Sequence, residues 1–152
     1  MMNNDEARQA LDAVTQGRDA LAARARWPLW RHALAGALQS AFLMIWAVPM
    51  PMAAVLMALC VASIGLIVAS DRRTHGFFVN GWSSRRARPA ALLATFMAFA
   101  GLAAVIQTGN GINQWSPIAP WIALAVGIGV TGASLWWERL YRAELQDRSW
   151  NV

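Results

Sequence analysis

The sequence predicts an all-α polytopic membrane protein: a four-transmembrane-helix bundle with both termini cytoplasmic, an amphipathic N-terminal helix and a cytoplasmic extension of the last helix. Three observations predict it. Of 152 residues, 57% are hydrophobic and 14% are charged, where a soluble domain carries about a quarter charged. The apolar residues gather into four runs with uncharged interiors. The 13 basic residues, all Arg, lie outside those interiors on alternate connections. The same figures exclude a disordered chain, and a single Cys excludes a disulfide scaffold.

Residues 1–27 form the first segment. Asn3 followed by Glu6 has capping-box spacing, with Asn in place of the usual Ser or Thr. Ala7, Leu11, Val14, Arg18, Leu21 and Ala25 recur at alternating spacings of four and three, a weak heptad seam with Arg18 at one core position. Two readings compete, a helix lying on the inner membrane surface and a stub that docks a partner. The polar and charged residues before the first apolar run argue against a signal peptide.

Residues 28–137 form the membrane domain. A spanning helix needs about 20 mainly apolar residues to cross about 30 Å of hydrocarbon. Spans are expected at about 28–48, 52–69, 90–107 and 121–137, the first uncharged from Ala33 to Val48. Pro28 suits helix position N1, where a missing N–H costs nothing. Pro49 and Pro51 impose a tight hairpin, so the first two spans are antiparallel neighbours. Residues 138–152 continue the fourth span as a cytoplasmic helix, with Glu138–Arg142 and Glu144–Arg148 in the favourable i,i+4 order.

Arginine placement orients the chain. Arg8, Arg18, Arg24, Arg26 and Arg31 come first, then Arg72, Arg73, Arg85, Arg86 and Arg88, then Arg139, Arg142 and Arg148. The intervening connections, Pro49–Pro51 and the outer loop 108–120, carry no charge. The positive-inside rule therefore places both termini and the middle loop in the cytoplasm. Trp27, Trp30, Trp82, Trp136 and Trp137 gather near that boundary, and Trp46, Trp115 and Trp121 near the other, as interfacial indoles do. An all-Arg, Ala-rich chain suggests a GC-rich bacterial genome, hence a bacterial inner membrane.

Within the Arg-rich loop 71–89, two arginine clusters flank Phe77, Phe78, Val79 and Trp82. Arg72, Arg73, Arg85, Arg86, Arg88 and Trp82 are the candidate contacts to anionic headgroups or to an acidic partner. Phospholipid outweighs nucleic acid, because the clusters adjoin the membrane. The echo of Arg24–Pro28 in Arg86–Pro89 raises a parallel repeat, although arginine and proline before a span arise easily without one.

Small residues suggest how the helices pack. Gly36 and Ser40 mark the first span, and Gly127, Gly129, Gly132 and Ala133 give the fourth its best small-residue faces. They serve packing within one chain or self-association into a homo-oligomer. Gln39 is the strongly polar side chain near mid-membrane and needs a partner, either as inter-helix glue or as a pore-lining contact.

The sequence carries no catalytic signature. The span interiors hold no ionisable group of the kind a proton-coupled transporter uses, and Cys60 alone cannot do dithiol chemistry. His32 and His75 fall near the cytoplasmic boundary, away from Ser63 and Ser134, which argues against a Ser–His constellation. Asp71, His75 and Glu138 offer an interfacial acid–base group, a lesser reading. No catalytic residue, cofactor or metal is expected. The sequence thus favours a non-enzymatic assembly, scaffold or accessory subunit, with an oligomeric channel or facilitator for a small solute or ion as the alternative.

Overall fold

The computed structural model describes residues 4–24, 27–75, 82 and 84–146. They form five helices: α1 (Asn4–Arg24), α2 (Leu29–Ile45), α3 (Met50–His75), α4 (Arg88–Thr108) and α5 (Ala119–Gln146). Three are long and apolar enough to cross a membrane, over Met50–Ser70, Arg88–Thr108 and Ala119–Glu144. The all-helical class stands, and these helices are compatible with a membrane protein. The fourth expected span is shorter, because α2 has 17 residues and rises about 25 Å.

The ends of α2 explain its length. Pro28 has an extended ψ of 149° and so caps the helix from outside rather than occupying its first turn. At the other end Trp46 and Ala47 donate to Leu43 and Met44 at 3.1 and 3.0 Å, an i to i−3 tightening that closes the helix before the expected residue 48. The Pro49 carbonyl then accepts from Met52 and Ala53, both at 3.0 Å. Pro51 falls in the first turn of α3, where no donor is required.

Two other boundaries move. Helix α3 runs to His75, so the expected loop 71–89 loses its first residues to helix, and α4 already begins at Arg88. Helix α5 passes without a break through residue 137 to Gln146, so the membrane segment and its extension are one rod. The expected capping residue Asn3, the aromatic run 77–79, Ala25 and Arg148 lie outside the described residues.

Helices α2 and α5 share the most extensive interface, α4 packs on α5, and α3 packs on α2. The central core joins Leu43, Ala47, Val105, Ala119, Ala123 and Val126, and a second core of Ile45, Val48, Ala53 and Cys60 joins α2 to α3. Helix α3 shares no comparable interface with α4 or α5, and Val55, Leu59, Val61 and Leu66 are exposed along it. Helix α1 packs against α5, and the seam residues Leu11 and Val14 stay exposed.

Glycines make α5 the centre. A Cβ on Gly36 would overlap the Gly127 carbonyl oxygen and the Thr131 hydroxyl, and one on Gly127 would overlap Ser40 Oγ. The backbones of α2 and α5 therefore touch. Two positions along, Gly129 faces α4 instead, where a Cβ would meet the tip of Met97. In return, Gly101 of α4 abuts Val126 Cγ2 and Leu43 Cδ1.

The loop 109–118 locks the end opposite the arginines. Asn110, Gly111 and Asn113 have φ of 57°, 148° and 61°, values that Asn and Gly tolerate best. This path brings Asn113 onto the α2–α3 turn. Its N–H donates to the Trp46 carbonyl at 2.8 Å, and its side-chain amide donates to Ile45 and Val48 at 3.0 and 2.9 Å. Three carbonyls freed by the end of α2 are thereby satisfied.

Candidate functional site: a polar seam between α2 and α5

Helix α5 repeats polar residues at Thr131, Ser134, Glu138 and Arg142, a spacing of three or four that keeps them on one face. Helix α2 runs antiparallel against that face. Ser40 donates to the Ala123 carbonyl at 2.8 Å, and Thr131 donates to the Gly127 carbonyl at 2.9 Å. Near the Arg-bearing end, His32 reaches between Ser134 and Glu138. Its Nδ1 is 2.8 Å from Ser134 Oγ and its Nε2 is 2.7 Å from Glu138 Oε2.

Both ionisable side chains are enclosed, with His32 4% and Glu138 8% exposed. Arg142 lies one turn further, with Nη1 3.8 Å from Glu138 Oε1. The carboxylate accepts the Nε2 proton. Nδ1 then accepts from the Ser134 hydroxyl in a neutral ring, or donates to it in an imidazolium. The arrangement ties two helices across the bundle.

This corrects the expectation that His32 is an interfacial histidine remote from Ser134. The grouping of Glu138 with Asp71 and His75 is a different matter, because the side chains of Asp71 and His75 lie outside the described residues. The sequence ended the fourth span at residue 137, leaving Glu138 outside the membrane segment, whereas the apolar helix runs on to Glu144. The signal was present in the i,i+4 pair Ser134–Glu138, facing a lone His at the start of α2.

A second acidic residue is also taken. Glu144 Oε2 accepts from the Ser84 hydroxyl and from the Arg86 N–H at 3.3 Å, while Ser84 Oγ accepts the Ala87 N–H at 3.0 Å. The carboxylate thus occupies the approach to α4, where unpaired helix N–H groups favour negative charge. Trp137 stacks on Tyr141 with ring centroids 5.0 Å apart, and Trp27 abuts both at 6.0 and 6.3 Å. The chain entering α2 is held there against α5.

The remaining candidates are distributed as follows. Gly36, Ser40 and Gly127 meet at the α2–α5 crossing, and Gly129 faces α4. Ala133 is buried, whereas Gly132 is exposed with no neighbour within 4 Å. Gln39 is half-buried on α2, and its amide has no partner among the described residues. Arg72, Arg73, Arg85, Arg86, Arg88 and Trp82 are all exposed. They share an end with the His32–Glu138 pair, because α4 starts beside Glu144. Among the described residues no group of three or more His, Cys, Asp or Glu is placed to hold a metal. No family model, curated protein or solved structure matches this chain.

Proposed function

We propose that the chain is a non-enzymatic integral membrane protein that serves as an assembly or accessory subunit in a bacterial inner membrane. It crosses four times, with both termini and the Arg-rich loop in the cytoplasm. The first of the four crossings is α2, supported by its antiparallel run along α5 from the His32–Glu138 contact to the Ser40–Ala123 contact. An even number of crossings also accounts for arginines at one end and an uncharged loop at the other. Ser134 lies mid-helix in α5 with its hydroxyl on His32 Nδ1 and His32 in turn on Glu138, contacts that join α2 to α5 and favour a structural role for the seam.

One observation carries the assembly reading: the close-packing glycines of α5 are used inside the chain, whereas α3 is held by α2 alone and keeps most of its apolar surface outward. Native mass spectrometry of the complex, extracted gently from its own membrane, tests this. A stable second polypeptide supports the accessory role, and a lone monomer retires it. The channel alternative draws on Gln39, whose amide has no partner among the described residues. It requires a homo-oligomeric mass and solute flux in proteoliposomes that falls in Gln39→Leu.

A further inference from the structure

Helices α3 and α4 both pack on α2 but share no packed interface with each other. The face of α2 that carries Phe42 is therefore left uncovered between two apolar helices, an open groove rather than a closed helix packing. Phe42 is exposed on α2, its ring edge-on to Trp46 at 6.4 Å. Trp46 packs against both the α2–α3 core and the central core and so stands where the two meet.

The mouth of this groove is strongly basic on both rims. Arg72 and Arg73 end the α3 side, and Arg85 and Arg88 begin the α4 side. Depth follows from the hairpin: Ser70 and Pro28 are equally far in sequence from Pro49, so Arg72 lies within about one turn of the start of α2. The start of α4 shares that level, since Ser84 bonds to Glu144 of α5, six residues beyond the Glu138 that meets His32. The backbone positions of these four exposed arginines thus share about one depth. Among the described residues none of them pairs with a carboxylate. Of the acids at this end whose side chains are described, Glu138 is engaged by His32 and Arg142, and Glu144 by Ser84 and the Arg86 N–H.

We propose that this groove holds an anionic phospholipid, its phosphate between Arg72 and Arg73 on one rim and Arg85 and Arg88 on the other, its acyl chains along α2 between α3 and α4. Charge complementarity selects the headgroup: guanidinium binds phosphate bidentately, and uncompensated arginines at this depth suit a lipid carrying net negative charge. The cleft suits the chains, because α3 and α4 do not close over the floor. The inference rests on the four-crossing reading, which places this mouth at the cytoplasmic headgroup level.

The test is lipid retention by the full chain, read by native mass spectrometry after detergent delipidation and re-addition of defined lipids. Diphosphatidylglycerol or phosphatidylglycerol is expected to remain bound at a fixed number per chain, and phosphatidylethanolamine to be lost. The double variant Arg72→Gln/Arg88→Gln is expected to weaken retention about tenfold or more, whereas Arg139→Gln, an exposed arginine on α5, leaves it unchanged. Equal retention of phosphatidylethanolamine, or an equal loss in Arg139→Gln, overturns the proposal. The topology is read separately by thiol labelling of Gln114→Cys and Arg139→Cys, both exposed positions, in a Cys60→Ala background. Labelling of both from one side removes the four-crossing reading, and labelling from opposite sides with no selective retention removes the lipid site alone.

Discussion

His32 Nε2 lies 2.7 Å from Glu138 Oε2, a contact between residues 106 positions apart that ties the start of α2 to the far end of α5. Glu138 also anchors Arg142, so the bond links the apolar interior of the bundle to its charged end. Losing one partner leaves the other enclosed and uncompensated, which costs more than losing both.

The pair therefore behaves non-additively. Glu138→Leu alone is expected to lower stability by about 2–4 kcal/mol, and His32→Leu by a smaller amount. The double variant His32→Leu/Glu138→Leu is expected to recover about 1–3 kcal/mol of the summed losses. Denaturant unfolding in a fixed detergent checks this. Additive losses within about 0.5 kcal/mol show that the two side chains are not coupled.

The glycine contacts predict a contrast along a single helix. Gly127→Leu forces side-chain atoms into Ser40 and the α2 backbone, and Gly36→Leu forces them into Gly127 and Thr131. Both are expected to lose the monodisperse folded species. Gly132→Leu and Gly65→Leu meet open space and are expected to elute with the parent on size exclusion. Gly127→Leu eluting and melting with the parent contradicts the close crossing.

Asn113→Ala removes two side-chain bonds from the carbonyls of Ile45 and Val48. The expected loss is about 1–3 kcal/mol, with faster amide exchange across 109–118 and unchanged exchange in mid-α5. Gly111→Ala, at φ 148°, is expected to cost about 1–3 kcal/mol through backbone strain with no hydrogen bond removed. Unchanged exchange in Asn113→Ala shows that the loop is held by other contacts.

Glu144→Ala is expected to free the Ser84 turn ahead of α4 while leaving the α2–α5 seam intact. Exchange rises at Arg86, which loses its carboxylate acceptor, and stability falls by about 1 kcal/mol. Glu144→Asp, one methylene shorter, recovers part of the protection. Equal exchange in all three proteins shows that this carboxylate does not hold the turn.

The sequence revealed most where one principle acted alone. Uncharged runs mark α2 to α5, and the two prolines at 49 and 51 mark the hairpin, because span hydropathy and proline geometry are local. The expected ends move at Ile45, where i to i−3 hydrogen bonds rather than apolarity set the stop, and at His75, which α3 reaches beyond the apolar run. Gly36, Gly127 and Gly129 were legible as packing residues, but their direction was not: two residues apart on α5, Gly127 turns to α2 and Gly129 to α4. The His32–Ser134–Glu138 seam was missed, because its partners are about a hundred residues apart. A boundary drawn at 137 had also assigned Glu138 to the cytoplasm.

The dominance of the α2–α5 interface has a consequence for biogenesis. Helix α2 leaves the ribosome first among the membrane helices, and α5, its principal companion, last. During the synthesis of α3, α4 and the loop 109–118, the imidazole of His32 and the bare backbone of Gly36 lack their native neighbours. Before α5 arrives, α2 is thus an incomplete helix covered only by α3 and a small contact from α4, and α5 supplies the larger part of its packing. Truncation before Ala119 therefore leaves exposed the segment that membrane quality control is best able to recognise.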